Sequence, residues 1–366
     1  MTKKPKILYV ASTESHLRRF HQPYLAKLRE MADVRTMATG KSVDFPILFD
    51  KHYFSFSNLR SVFQIRKILR REQFDAVLLH TTLAAFLVRA AMLFTRRRPY
   101  VLNVVHGYLF SRQVSGKKEK ILLLCEKILR KKTDRIAVMN AEDQEIAQTQ
   151  HLCNGSVSFL YGMGIEPFQP SKADLSLRAS LGVDKDSLLC CFVGELSVRK
   201  NQIFLIRAVK KLCDQGLPIR LLLVGEGSER EHLEAEIAAL SLENTVFLTG
   251  NREPVKPYLE ISDLYVSASR SEGLPFNVME AMLCGLPIVA SATKGQTDLL
   301  EESPQFLYPL DDVDEFCRLV TQLYHAGTFG IGTHRYSSIS KYLLNTVFEE
   351  NMRALTHGWL SSEEQK

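Results

Sequence analysis

The sequence lacks the features that usually mark a secreted, membrane-spanning or metal-dependent protein. It has only seven cysteines, an odd number without a C-x-x-C pair, so we expect reduced thiols in a cytoplasmic protein. The longest apolar stretch, residues 83–94, is interrupted by Arg89 and is too short to span a bilayer. His, Cys and Asp residues lack metal-ligand spacing, so we expect no required metal ion or other cofactor. The chain runs from Met1 almost directly into a predicted strand, and no signal peptide is expected.

Charge is distributed unevenly along the 366 residues. Residues 1–165 hold 28 Lys and Arg against 13 Asp and Glu, whereas residues 166–366 hold 19 against 28. This length, with 45% hydrophobic residues, is enough for two domains that each bury a core. We expect the basic half to face an anionic partner. A membrane surface fits better than a nucleic acid, because the aromatic residues are not interleaved with the basic ones.

Predicted strands and helices alternate in two blocks, which indicates an α/β fold with two Rossmann-like domains. The segment 160–170 is rich in Gly and Pro and is typical of a linker. We therefore predict a first domain at residues 1–165, a second at 166–340 and a C-terminal helical segment at 341–366.

Residues 267–290 carry the strongest functional pattern, in which a buried strand is followed by a loop, a helix and a second strand. Glu272 lies in the loop, and the helix begins near Phe276 and contains Glu280. Open parallel sheets bind ligands at the carboxyl ends of their strands, and the amino end of a helix attracts anions. Amide groups for a diphosphate beside carboxylates for hydroxyl groups suit a nucleotide sugar.

Two further strand ends carry candidate residues. Arg199 and Lys200 follow the predicted strand 188–196, where they could neutralise a departing diphosphate. His106 ends another strand beside Gly107, which would permit close approach of a substrate. The ordinary alternatives are a surface pair of cations and a histidine that only caps its strand.

The segment around Glu272 and Glu280, eight positions apart, resembles the signature of the family 4 retaining glycosyltransferases. Lys200 matches a lysine that holds the donor phosphates in this family, whereas Glu195 stands where the family usually has arginine. Residues 15–25 and 106–110 are similar to enzymes of bacterial capsule, O-antigen or exopolysaccharide assembly.

The resemblance implies a type B fold, with two facing Rossmann-like domains, a deep cleft between them and a last helix that crosses back to the first domain. It implies a hexosyl- or N-acetylhexosaminyltransferase that takes its donor from a UDP-sugar. The acceptor would be an undecaprenyl-diphosphate-linked sugar or an oligosaccharide, bound by the first domain at the inner face of the cytoplasmic membrane.

The resemblance also implies roles for individual residues. His106 and Glu272 would act at the donor sugar. His16 lies in the predicted loop after the first strand, which lacks the paired glycines that approach the donor phosphates in this family, so we expect that loop to serve the acceptor. His80 ends another predicted strand and could line the same cleft. The remaining candidates would bind the donor nucleotide: Gly250, Arg252, Gly273, Leu274, Phe276, Asn277 and Glu280, together with Arg199 and Lys200.

Two other functions remain compatible with this pattern: an epimerase or hydrolase of a UDP-sugar, and a non-catalytic partner subunit that binds a nucleotide sugar. The basic amphipathic segment 117–132 also has two interpretations. It could lie on anionic lipid, or it could be an ordinary helix whose apolar face enters the core.

Overall fold

The computed structural model describes residues 4–50, 55–93, 95, 98–112, 114, 116–171, 174–184 and 186–360. The chain divides into two compact units. The first runs to Gly164 and includes the segment from Leu344 onward, and the second is Ile165–Leu343. Within the described ranges, every helix is too short or too polar to cross a membrane.

The first unit contains a seven-stranded parallel sheet with the order β3-β2-β1-β4-β5-β6-β7. Its strands are β1 Lys6–Thr13, β2 Asp33–Thr39, β3 Phe45–Pro46, β4 Ala76–His80, β5 Tyr100–Val105, β6 Arg135–Val138 and β7 Val157–Phe159. Its first six helices are α1 Glu14–Phe20, α2 Gln22–Met31, α3 Phe56–Glu72, α4 Thr82–Ala91, α5 Lys117–Leu129 and α6 Ala141–Thr149.

Strands β1 and β4 are buried on both faces, as their almost continuous apolar sequences predict for the middle of a parallel sheet. Leu8 and Val10 of β1 pack with Val77 and Leu79 of β4 in one core layer, against side chains of α3 and α4. The two strands therefore form the buried centre of the sheet. The residues that follow their carboxyl ends are attached to this packed core and have defined positions.

The second unit repeats the design with a six-stranded parallel sheet of order β10-β9-β8-β11-β12-β13. Its strands are β8 Leu188–Val193, β9 Ile219–Val224, β10 Val246–Gly250, β11 Leu264–Ser267, β12 Ile288–Ser291 and β13 Leu307–Tyr308. Its helices are α7 Leu175–Ser180, α8 Gln202–Asp214, α9 Arg230–Ala239, α10 Lys256–Glu260, α11 Phe276–Leu283, α12 Gln296–Leu299 and α13 Val313–Ala326. The predicted α/β fold with two Rossmann-like domains is confirmed.

The last helix, α14 (Leu344–Thr356), belongs to the first unit. The Asn351 side chain donates hydrogen bonds to the Tyr24 hydroxyl and to the Gly162 carbonyl, both at 2.8 Å. Tyr24 in turn donates to the Met163 carbonyl at 3.0 Å. Because Asn351 is buried, these bonds fix α14 against α2 and against the end of the first block of chain.

Candidate active site

The strand order of the second unit reverses between β8 and β11. The chain continues from β8 to β9 on one side and from β11 to β12 on the other, so the loops that leave their carboxyl ends diverge and flank a crevice. The two loops are tied together, because the Arg270 backbone N–H donates to the Arg199 carbonyl at 2.8 Å. The predicted phosphate-binding and sugar-binding loops are thus neighbours.

A cluster of three charged side chains lies between these loops. Lys200 Nζ is 2.6 Å from Glu272 Oε1, and Arg199 Nη1 is 2.9 Å from Glu272 Oε2. Arg199 also donates to the Ser271 carbonyl at 2.8 Å. Lys200 and Glu272 are buried, at 7% and 8% exposure, whereas the Arg199 side chain is 40% exposed. One guanidinium edge therefore remains accessible to a ligand.

The electrostatics of this cluster follow from burial and pairing. Burial by itself would raise the pKa of Glu272, but the charges of Lys200 and Arg199 outweigh it, and the pKa is lowered. Burial lowers the pKa of Lys200, and the carboxylates of Glu272 and Glu195 partly oppose that shift. Glu195, the residue that departs from the family pattern, thus adds negative charge near Lys200.

Helix α11 begins at the same place. Its residue Asn277 donates through Nδ2 to the Val193 carbonyl and to the Tyr265 hydroxyl, both at 2.7 Å. These bonds anchor the amino end of α11 to the end of β8 and to a side chain of β11, and the positive end of the helix dipole there can act on an anion. Glu280 lies one turn after Phe276 on this helix and is half-buried.

Glycines bring the neighbouring loops into contact. A Cβ on Gly225 would lie 1.9 Å from the Gly194 carbonyl oxygen, and one on Gly227 would lie 2.1 Å from the Leu196 oxygen. Gly225 N–H donates to the Gly250 carbonyl at 2.9 Å. Close packing of the loops after β8, β9 and β10 therefore requires glycine at positions 225 and 227.

Other predicted residues occupy the same edge of the sheet. A Cβ on Gly295 would lie 2.5 Å from the Gly273 carbonyl oxygen. The loop after β12 therefore packs directly against the loop that carries Glu272. Leu274 packs against the core beneath, and Arg252 is exposed in the loop after β10.

Sequence reasoning missed the residues that hold the loop with Arg199. Arg270 donates to the two carboxylate oxygens of Asp311 at 2.6 and 2.9 Å, and Asn201 donates to Asp311 at 3.2 Å. Asn201 has a left-handed backbone with φ of 57°. Asp311 is 110 positions from Asn201 in the sequence, so no local sequence pattern could have predicted their contact.

Four histidines gather at the corresponding point of the first unit, where the strand order reverses between β1 and β4. His80 ends β4 and His106 follows β5, and His80 Nδ1 lies 3.2 Å from His106 Nε2. The ring of His16 is 5.2 Å from that of His106. The predicted candidates therefore lie together, and His21, which was missed, completes the group at 5.0 Å from His16.

The prediction that His16 lies in a loop is wrong, because residues 14–20 form α1. The Thr13 hydroxyl caps this helix by accepting from the His16 backbone N–H. Burial lowers the pKa of His16 to about 4 and lowers the pKa values of His21, His80 and His106 well below the ordinary value. The four rings are therefore neutral at pH 7.

Helix α5 buries only part of its apolar face, because Leu129 is 2% exposed whereas three other apolar side chains remain outside the core. Arg89 donates to both oxygens of Glu126 at 2.8 Å, and this buried pair turns the Glu126 side of the helix inward. Ile121, Leu124 and Ile128 are consequently 48–58% exposed. The interpretation as an ordinary helix whose apolar face enters the core is wrong for these three side chains.

Comparison with known proteins gives two family matches. Residues 17–157 match the glycosyl transferase 4-like domain, and residues 175–336 match the glycosyl transferases group 1. Each match lies within one of the two units.

Similar proteins extend this result. EpsD of Bacillus subtilis (strain 168), assigned as a glycosyltransferase, is 29% identical over 89% of this chain and 88% of its own. The Escherichia coli UDP-Gal:alpha-D-GlcNAc-diphosphoundecaprenol alpha-1,3-galactosyltransferase is 28% identical over 73% of this chain and 70% of its own. The crystal structure of Anabaena HepE in complex with UDP and glucose shares the fold, with a TM-score of 0.75 and 19% identity over 96% of this chain and all of its own.

Proposed function

The chain belongs to the glycosyltransferase family that these two models describe, and we propose that it moves a sugar from a UDP-sugar to a lipid-linked or glycan acceptor with retention of anomeric configuration. The observation that carries the proposal is the cluster of Arg199, Lys200 and Glu272 beside the amino end of α11. Two cations and a helix dipole, all at the switch point of one sheet, suit a diphosphate that gains charge as it leaves.

Donor binding is assigned to the second unit. Lys200, the accessible edge of Arg199 and the amino end of α11 at Phe276 and Asn277 neutralise the departing diphosphate. Glu280 accepts hydrogen bonds from the ribose hydroxyls, and the loop at Gly250 and Arg252 borders the base. Because cations of the protein balance the diphosphate, we expect donor use without a metal ion.

Glu272 has two tasks in this scheme. Its two oxygens hold Lys200 and Arg199 in position, and the lone pairs that remain accept hydrogen bonds from sugar hydroxyls. The leaving diphosphate accepts the acceptor's proton on the face that it leaves, so retention needs no protein base.

Our proposals for the acceptor and for the nucleobase of the donor rest on similar proteins. The Escherichia coli relative uses, by its name, UDP-galactose and a diphosphoundecaprenol-linked sugar. A related lipid diphosphate acceptor, in the assembly of a bacterial surface polysaccharide, also fits the basic composition of residues 1–165. The transferred sugar is then a hexose or an N-acetylhexosamine.

The proposal is tested with a panel of nucleotide sugars and an undecaprenyl-diphosphate-linked N-acetylhexosamine. We expect one UDP-sugar to raise the melting temperature selectively and to release UDP only when acceptor is present. NMR of the product should show the anomeric configuration of the donor. An inverted product would contradict retention, and equal UDP release without acceptor would favour a hydrolase.

Helix α5 is the proposed contact with an anionic membrane. Its exposed Ile121, Leu124 and Ile128 lie among lysines, an arrangement that suits a lipid surface. A cavity of about 840 Å³ at the end of this helix is lined in part by basic side chains: Lys127, Arg130, Lys131 and Lys132. Lipid headgroups carry the complementary negative charge.

Replacing Leu124 and Ile128 by Glu should reduce binding to vesicles that contain anionic lipid by about tenfold or more, because two apolar contacts become repelled charges. Sedimentation with vesicles measures the bound fraction. Leu310→Glu, which places a charge at an exposed leucine of the second unit, is the control and should bind as the unchanged chain does. Equal binding by the double variant would exclude α5 as the contact.

A further inference from the structure

The histidine cluster of the first unit contains buried ring nitrogens that packing among the described residues leaves without hydrogen bonds. His21 and His80 are fully buried, and their Nε2 atoms, like that of His16, make no hydrogen bond to any residue in the described part of the chain. Buried polar atoms are normally paired, so the unpaired ring nitrogens of His16 and His21 point to a ligand that supplies the missing bonds.

The positions of three rings agree with a metal site. One ring nitrogen from each of His16, His21 and His106 lies within 4.8 Å of the others. A zinc ion bonded to imidazole nitrogens lies roughly 3.2 Å from each ring centroid, which separates tetrahedral ligand rings by roughly 5 Å. The observed centroid separations are 5.0, 5.2 and 5.8 Å. The ring separations therefore fit one ion, and ring rotation has to bring the nitrogens, which lie within 4.8 Å of one another, to a spacing of roughly 3.3 Å.

The surroundings orient these ligands. Tyr9 is completely buried, and its hydroxyl lies 2.8 Å from His21 Nδ1, which leaves Nε2 as the ligating atom of His21. His80 Nδ1 is 3.2 Å from His106 Nε2, and the His80 ring packs against His21 at 4.4 Å. Metal-bound histidines usually have such a partner on the second nitrogen, and the partner fixes the ring plane.

We infer that His16, His21 and His106 bind one divalent transition metal ion of the zinc class. Neutral imidazoles are the form that binds such ions, and three of them leave a fourth tetrahedral position open. His16 and His106 are only partly buried, so the site lies close to the surface of the first unit, although His16 Nε2 itself is enclosed. The sequence did not suggest this site, because its ligands come from α1, the turn after α1 and the end of β5.

The test uses the full chain without a polyhistidine tag, treated with a chelator and titrated with Zn²⁺ against a chromogenic chelator. We expect one tight site per chain, and binding of Co²⁺ should give the visible spectrum of tetrahedral nitrogen coordination without thiolate charge transfer. His16→Gln and His21→Gln should each weaken Zn²⁺ binding by at least about 100-fold. His232→Gln, at an exposed histidine of the second unit, is the matched control and should bind normally.

His16 is only partly buried whereas His21 is fully buried, so His16→Gln tests the site even where His21→Gln fails to fold. The absence of a stoichiometric site, or equal affinity in the unchanged chain and in His16→Gln, would overturn the inference. A Co²⁺ spectrum with thiolate bands would also overturn it, because the ion would then lie on cysteine. Each readout is metal binding, so the result is independent of the proposed sugar transfer.

Discussion

Replacing Lys200 by Ala should lower the turnover number by ~10²-fold or more, because the leaving diphosphate loses a preorganised positive charge. Lys200 is buried between two loops and held at 2.6 Å by Glu272, so its ammonium group is already in place when the charge develops. The rate of acceptor-dependent UDP release at saturating donor measures the effect.

Lys210→Ala is the control for this experiment. Lys210 lies on α8 of the same unit, is partly exposed and pairs with Asp214, so its loss should leave the turnover number nearly unchanged. Circular dichroism should show that both variants are folded. A Lys200→Ala enzyme that turns over at nearly the original rate would remove Lys200 from the diphosphate site.

Replacing Glu272 by Gln should reduce the free energy of unfolding by about 3 kcal/mol, because a buried ammonium group loses its partner. The same change should raise the KM for the donor, since Lys200 and Arg199 are no longer held together. Urea denaturation measures the first effect and initial rates measure the second.

The effect on stability should depend on pH in a defined direction. The pKa of Glu272 is lowered in the folded chain, so its contribution is present above the ordinary value of 4.5 and is lost as pH falls through the folded value. The difference between Glu272→Gln and the unchanged chain should therefore shrink at low pH. Glu315→Gln breaks a surface pair with Arg318 and should change stability by less than about 1 kcal/mol. Equal stability of Glu272→Gln and the unchanged chain at neutral pH would contradict the buried pair.

Local pattern was enough to place the main features of the second unit. The apolar sequence of β11 and the Pro-Phe start of α11 predicted a strand and a helix, and the structure has both. Because parallel strands end at one edge of the sheet, Lys200 and Glu272 could be expected at the same crevice. Their ion pair was not expected, because it depends on the conformations of two loops that are 72 positions apart in the sequence.

Long-range pairs account for the features that the sequence did not predict. The apolar residues of α5 suggested a buried face, but with Glu126 turned inward to Arg89 the side chains of Ile121, Leu124 and Ile128 are left exposed. His21 had no motif of its own, and it joined the other histidines only when β1, β4 and β5 aligned their ends. In both cases the partner comes from a different element, and hydrophobic periodicity carries no information about it.

The most direct test of the central claim is a crystal structure of the chain with bound UDP. The account predicts that the diphosphate lies within hydrogen-bond distance of Lys200 Nζ and the amino end of α11, with the ribose hydroxyls at Glu280. UDP bound elsewhere, with Lys200 and Glu280 empty, would contradict it.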